Sequence, residues 1–423
     1  MSLFKSIFNF SRLWDEIWSR IALMCGLAVV VAVVTPFFSP LIPQAFADRI
    51  DEDAVTQLVS ILTNSMLVVS TFSLTAMVSA HHNAANVVTP RAHRLLRSDG
   101  LIHSILATYL SAFVFALTSI FIIKADFYNT EDFAALYVVV GFVIARVVWS
   151  TIRWVSQLSS LGTLESTADR IEAKTVEALH DRLGSPFMGG RAAVDVPSDA
   201  IDVRANRCVF VQAIDTKQLA ELAEQADAIV HVRAVPGDWL LPGDTLMSIE
   251  TERLTTKMQS QMSATMILGS QATFTSNPVF GMTVLTEGAE RALSPAVNDP
   301  GTAVHILRRQ MTILSEWEPE QEAEEVDYPR LRVPAMSPRD LLDAAFEAIA
   351  RDGAAFLEVQ IAIQDNLAQL SKHADQDMAR AARAIASRAV AYASQSLPLE
   401  QDKVRLRAMG RQSEQPTEVV TSR

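Results

Sequence analysis

Apolar residues in this chain gather into four long runs, all within its first 160 positions, and beyond them the pattern breaks into short periodic segments. The runs extend from about Ile21 to Pro43, Gln57 to Ala80, Leu101 to Ile123 and Phe133 to Val155. Each reaches the ~20 apolar residues that a helix needs to cross a ~30 Å hydrocarbon core. Unpaired backbone N–H and C=O groups are not tolerated in lipid, so these runs are predicted to be helices. Residues 1–160 therefore read as a four-helix transmembrane domain.

The flanks orient it. Lys5, Arg12 and Arg20 precede the first run, and Arg91, Arg94 and Arg97 fill the connection between the second and third. The segment Asp48–Asp53 and the turn Lys124–Asp132 are acidic on balance, and Arg153 closes the fourth run. Basic residues accumulate on the cytoplasmic side, which predicts that the N-terminus, the middle connection and everything after the fourth helix are cytoplasmic. Trp14, Trp18, Trp149 and Trp154 fit the aromatic belt at the inner boundary. Ala45-Phe46-Ala47 resembles a signal-peptidase site, yet the apolar run before it, about 23 residues, exceeds the ~7–15 of a signal h-region. A spanning helix is expected there.

The remaining chain predicts a mixed α+β, mainly helical cytoplasmic domain. Leu164, Ala168, Ile171, Val176 and Leu179 alternate with charged residues, giving a juxtamembrane amphipathic helix over 161–186. A small β-containing module is expected over 187–250. Its strands are Arg207–Ile214 and Ala228–Val235, with short apolar pieces set between Pro236-Gly237-Asp238 and Pro242-Gly243-Asp244 turns. Helices are expected over 251–396, with an acidic linker at 316–336 and a frayed polar tail over 397–423. In the helical region, Asp299 before Pro300 and Ser337 before Pro338 read as N-caps followed by proline at the first helical position.

Charge sharpens the division. The first 160 residues hold ten of the 36 Lys/Arg and ten of the 48 Asp/Glu, so the net charge of −12 sits entirely in the rest. Nucleic acid is excluded as a partner on that ground, because phosphate binding needs clustered cations. The two cysteines, Cys25 in the first apolar run and Cys208 in the soluble half, are not expected to pair.

Candidate chemistry is sparse. The second helix is rich in hydroxyl and amide residues, and Asn64, Thr71 and Thr75 fall at i, i+7 and i+11, on one stripe. That stripe would either line a water-filled path or form a helix-packing face. Arg146 lies well inside the fourth run, where a charge costs ~2.5 kcal/mol or more; it would either snorkel to the inner boundary or face an aqueous vestibule. His81, His82 and His93 lack the i,i+4 spacing and carboxylate of a metal site and read as a polar membrane boundary. Asn298 and Asp299, with Glu287, Glu290 and Arg291 nearby in sequence, are a candidate ligand loop, although capping alone accounts for Asp299. No Walker loop, dinucleotide glycine pattern, nucleophile elbow or zinc spacing occurs, so no enzymatic activity and no cofactor are predicted.

Two resemblances add to this. The pattern VPGDWLLPGDTLMSIE is similar to the closing strands of lipoyl-like barrel-sandwich domains, without a Lys at a hairpin tip for cofactor attachment. The whole chain resembles the bacterial membrane-protein family called domain of unknown function 2254. The match is carried by Ser-Thr-Phe-Ser-Leu-Thr (70–75), Thr-Pro-Arg (89–91), Leu-Leu-Arg-Ser-Asp (95–99) and Phe-Val-Gln-Ala-Ile-Asp (210–215). It continues through Pro-Gly-Asp-Trp (236–239), Phe-Gly (280–281), Ala-Leu-Ser-Pro-Ala-Val-Asn-Asp-Pro-Gly-Thr-Ala (292–303) and Leu-Leu-Asp-Ala-Ala-Phe-Glu-Ala-Ile (341–349). The chain departs from the family at Val209-Phe210 and in the His-Asn-Ala stretch before Thr89. The resemblance implies an inner-membrane protein with a cytoplasmic domain, and no activity. Two functions are expected on these grounds: a homo-oligomeric channel or transporter-like assembly for a small molecule or ion, or a membrane-anchored regulatory or scaffolding protein.

Overall fold

A computed structural model of the chain describes residues 17–43, 47, 49–87, 91, 100–129, 131–160, 164–323 and 325–414. These fall into two compact units divided between Thr167 and Ala168. Lys5, Arg12, Trp14, Ala45, Phe46, His93, Arg94 and Arg97 lie outside the described residues, as do the side chains of Trp18, His81 and His82.

Four helices build the first unit: α1 (Ile17–Val34), α2 (Glu52–Val87), α3 (Gly100–Lys124) and α4 (Asp132–Ser160). They contain apolar spans at Arg20–Pro40, Glu52–Ser79, Ser104–Lys124 and Asp132–Ser156. The first apolar run is not all α-helix. It tightens into a 3-10 segment, Thr35–Leu41, where Pro36 and Pro40 deny the backbone its α-helical donors. Half of the α3 span is buried against 17% of the α1 span and 22% of the α2 span, which makes α3 the central helix. Small residues four apart explain the fit: Ala28 and Ala32 on α1, and Ala112 and Ala116 on α3, are all buried and let these packed helices approach closely. At the α3–α4 end, Tyr128 donates its hydroxyl to the Ala32 carbonyl at 2.6 Å, and Ser39 donates to the buried Asp132 at 2.5 Å. The break after α1 is thereby tied to the start of α4.

Helix α5 (Leu164–Gly184) contributes all but its first turn to the second unit, which holds two sheets. The strands are β1 (Arg191–Ala192), β2 (Ile201–Arg204), β3 (Val209–Ile214), β4 (Ile229–Val232), β5 (Trp239–Leu240), β6 (Thr245–Glu250), β7 (Met266–Gly269) and β8 (Leu331–Val333). One sheet runs β1-β8-β4-β6-β2 and the other β5-β3-β7. Helix α6 (Thr216–Gln225) follows β3, with Asp215 accepting from the Gln218 N–H as its cap. Helix α7 (Thr256–Ser263) precedes β7. Alternation decides the faces: Val203, Val230, Val232, Met247, Ile249, Leu331 and Val333 turn into one core, while Asp202, His231, Ser248 and Arg332 take the opposite face.

The β-containing module is larger than the expected 187–250. It takes in β7 and recruits β8, which pairs in parallel with both β1 and β4. The lipoyl-like pattern is split, because β5 pairs with β3 while β6 pairs with β2 and β4 in the other sheet.

The helical part comprises α8 (Pro278–Leu293), α9 (Pro300–Leu314), α10 (Pro338–Leu342), a π-helical turn at Asp343–Glu347, α11 (Ala348–Asp352), α12 (Leu357–Leu370), α13 (Gln376–Ser396) and α14 (Glu400–Glu414). Met282, Leu285, Ile306, Leu307, Phe346, Ile349, Ile363 and Ile385 are among its buried side chains. The expected acidic linker is only partly solvated. Trp317 is buried, and Glu320 receives a bidentate ion pair from Arg182 at 3.0 and 3.1 Å, with both carboxylate and guanidinium almost fully enclosed. The expected frayed tail is corrected as well: α14 packs on α12 and α13 through the buried Leu406, so folded chain continues well past Leu397.

Candidate functional site

The polar stripe of α2 starts near the middle of its 28-residue span, at Asn64, and runs toward the Ser79 end. Asn64, Thr71 and Thr75 are all exposed on the outer side of the unit, surrounded by exposed Ile61, Leu67, Val68, Phe72 and Val78. Within one chain they therefore neither pack against another described helix nor enclose a path. The two threonines are satisfied locally: Thr71 donates to the Leu67 carbonyl at 2.8 Å and Thr75 to the Thr71 carbonyl at 3.0 Å. The Asn64 amide has no such outlet and bonds to no other described residue.

Arg146 stands apart from that stripe. It is half-buried on α4, and its Nη1 donates to the Oγ of the buried Ser150 at 2.6 Å. The next residue, Thr151, accepts from Tyr109 of α3 at 3.2 Å and donates to the Val147 carbonyl. The guanidinium is thus directed along α4 toward its Arg153 end.

In the second unit the run Ser294–Asp299 joins α8 to α9. Ser294 ends α8 by donating to the Arg291 carbonyl at 2.6 Å, and the Asn298 and Asp299 N–H groups return to Ser294 and Ala292. Asn298 adopts φ +52°, a left-handed conformation that asparagine tolerates better than most residues. Asp299 caps α9 through the Thr302 N–H at 3.0 Å and hydroxyl at 2.6 Å, and those bonds hold its carboxyl below the usual carboxylate range. Glu290 is engaged by Arg351 at 3.3 Å, and burial raises its pKa, with Asp352 adding to the rise. Capping thus accounts for Asp299, while Pro295, Ala296, Val297 and Asn298 project outward.

Three features lie beyond the sequence motifs. Asp202, Ser248, His231, Arg332 and Arg191 form one continuous row across five strands by register. Ser248 bonds Asp202 at 2.8 Å and lowers its pKa; His231 is buried, its Nε2 3.5 Å from Glu250 and its Nδ1 without a partner. Second, Thr286 donates to the Ala344 carbonyl inside the π-helical turn at 2.6 Å and accepts from the fully buried Gln310 at 2.7 Å. Third, the first Pro-Gly-Asp turn rests on the cap of α8. A Cβ at Gly237, whose φ is +108°, would meet the Asn277 amide at 2.4 Å. Asp238 accepts from the Val235 N–H at 2.8 Å, while burial raises its carboxyl pKa, helped by Asp340. Strand alternation would have flagged the first row once the register was known; nothing local announces the other two. Among the described residues no group of three or more His, Cys, Asp or Glu is arranged to hold a metal.

No curated relative and no solved structure matches the chain. A family described as "Predicted membrane protein (DUF2254)" matches residues 14–369, which takes in all four spans, both sheets and the helices through most of α12. The chain is a membrane protein and belongs to that DUF2254 family.

Proposed function

We propose that the protein forms an oligomeric channel or transporter-like assembly in a bacterial inner membrane, with its N-terminus and second unit in the cytoplasm. The observation that carries this reading is the stripe Asn64, Thr71 and Thr75, which runs from the middle of the span toward its Ser79 end and faces away from its own helix bundle. Four helices are few to enclose a path, so the path would form between copies, with the α2 stripes turned toward it. The second unit, large and independently cored, would hold the copies together or gate them.

The orientation is supported by the basic middle connection and by Arg146 reaching toward the Arg153 end of α4. The test is flux of ions and small solutes through purified protein in liposomes. Wild type is expected to conduct, and Asn64→Leu and Arg146→Leu to alter the rate; absence of flux across varied ions, solutes and pH contradicts the proposal.

A second reading, a membrane-anchored regulator, draws support from the projecting tip Pro295–Asn298. That tip is fixed in shape by the bonds of Ser294 and Asp299, as a partner-binding loop would be.

A further inference from the structure

Arg146 brings a charge into the membrane unit that no described carboxylate offsets. Among the described residues its partner is the Ser150 hydroxyl alone. The helices have no acid to offer: α1, α2 beyond Asp53, α3, and α4 beyond Asp132 contain no Asp or Glu. The bond to Ser150 carries the guanidinium toward a second cation, the exposed Arg153, which pairs with no described residue either. Arg146, Ser150 and Arg153 fall at i, i+4 and i+7, on one stripe of α4. Beside them the Trp154 side chain is 4% exposed, and its indole N–H has no partner among the described residues. Helical side chains lean toward the N-terminal end of their helix, so this indole leans back toward Ser150 while Arg146 is drawn forward. Two cations and a neutral donor thus converge near the Ser156 end of the span, and the described protein supplies no anion between them.

We propose that this flank of α4 holds the phosphate of an anionic phospholipid from the leaflet at the Arg153 end. In the orientation proposed above that is the cytoplasmic leaflet, but the inference needs neither that orientation nor a channel. Charge complementarity selects the occupant. Two cations drawn together in a medium of low dielectric repel strongly, and an anion between them replaces repulsion with attraction. Phosphate oxygens accept from the planar guanidinium fork, and Ser150 and Trp154 add an O–H and an N–H that donate to no described residue. Depth favours a lipid over a free ion. Ser150 and Arg153 lie about 5–9 Å inside the Ser156 end of the span. A headgroup carried on acyl chains reaches that level through the local bilayer thinning that intramembrane arginines induce, whereas free phosphate would have to leave water. The chains have a surface to lie on, because Val148, Ile152 and Val155 are exposed on α4, and exposed Trp149 suits the headgroup boundary. A headgroup bearing its own ammonium would set that charge against both arginines, so phosphatidylglycerol is preferred to phosphatidylcholine.

The experiment is native mass spectrometry of the full-length protein in detergent, delipidated and then titrated with phosphatidylglycerol, phosphatidylcholine or inorganic phosphate, with thermal unfolding read alongside. Wild type is expected to retain phosphatidylglycerol at least several-fold better than phosphatidylcholine and to melt higher with it. Arg146→Leu and Arg153→Leu should each reduce that preference several-fold. Arg146→Lys and Arg153→Lys keep the charge and should keep most of it. Trp154→Phe, which retains an aromatic ring and loses the N–H, should weaken retention by a smaller factor. Arg253→Leu, at an exposed arginine of the second unit, should leave it unchanged. Equal retention of the two lipids by wild type, or a preference that survives both α4 leucine variants, overturns the site. Stabilisation by inorganic phosphate that matches the lipid's and is lost in the same variants assigns the site to free phosphate and overturns the lipid. Lipid preference without liposome flux leaves this site standing and removes the channel. Flux from a protein without lipid preference does the reverse.

Discussion

Arg146 and Ser150 are joined one helical turn apart on α4: the guanidinium donates to the buried serine hydroxyl at 2.6 Å. Helical side chains ordinarily lean toward the N-terminal end of their helix. This arginine is drawn the other way, toward Arg153, which shortens the distance its charge must travel to reach water. Hydrogen bonds to charged groups contribute about 1.5–3 kcal/mol. Ser150→Ala is therefore expected to lower stability in detergent by an amount at or somewhat below that range, read by thermal unfolding of the purified protein. An unchanged transition would show that the bond carries no weight.

Arg182 and Glu320 test the buried part of the acidic segment. Their side chains are 6% and 1% exposed and form a two-bond ion pair. Removing one partner leaves the other charge buried, which costs about 3–5 kcal/mol, whereas replacing both with apolar groups costs much less. Glu320→Ala should be the most damaging single change in this segment, and Arg182→Met with Glu320→Leu should recover most of the loss. Denaturation of the two variants in one detergent gives the answer.

Gly281 meets α5 so closely that an added Cβ would lie 2.0 Å from Thr175 Oγ1. Thr175 in turn donates to the Ile171 carbonyl at 2.6 Å and is fully buried. Gly281→Ala is expected to cost about 1–3 kcal/mol through overpacking. Adding Thr175→Ala should relieve much of that cost, so the two effects should be clearly non-additive in a thermal-melt cycle.

Asp299 gives a pH dependence of known sign. Its folded pKa is lowered, chiefly by the Thr302 hydroxyl, so its contribution is complete above the ordinary carboxylate range and fades as pH falls through the folded value. Asp299→Ala should destabilise by about 1 kcal/mol at neutral pH. Asp299→Asn keeps a capping oxygen without the titration. Its melting-temperature deficit against wild type should be largest at neutral pH and close on acidification. A deficit that is constant with pH contradicts this.

The membrane half was legible because hydropathy over twenty residues is a local property, and so were the caps at Asp299 and Ser337. The pairing of β1 with β8 was not, since Ala192 and Val333 are brought together by everything folded between them. Glu320 looked like one more solvated acid because its partner, Arg182, is distant in sequence. Leu406 anchors a helix too polar for periodicity to reveal, so α14 was read as a tail. For the candidate site, spacing placed Asn64, Thr71 and Thr75 on one stripe, but the direction that stripe faces depends on which helices cover the rest of α2.

The central claim, that this stripe faces a water-filled path between copies, is tested most directly by thiol accessibility in reconstituted membranes. Cysteines at 64, 71 and 75 would be exposed to a charged, membrane-impermeant thiol reagent in the Cys25→Ala, Cys208→Ser background. The account predicts labelling at all three, with Leu67→Cys, Leu62→Cys and Met66→Cys protected. Protection at 64, 71 and 75 equal to that at 67 would place the stripe in lipid or in a dry seam and contradict the path.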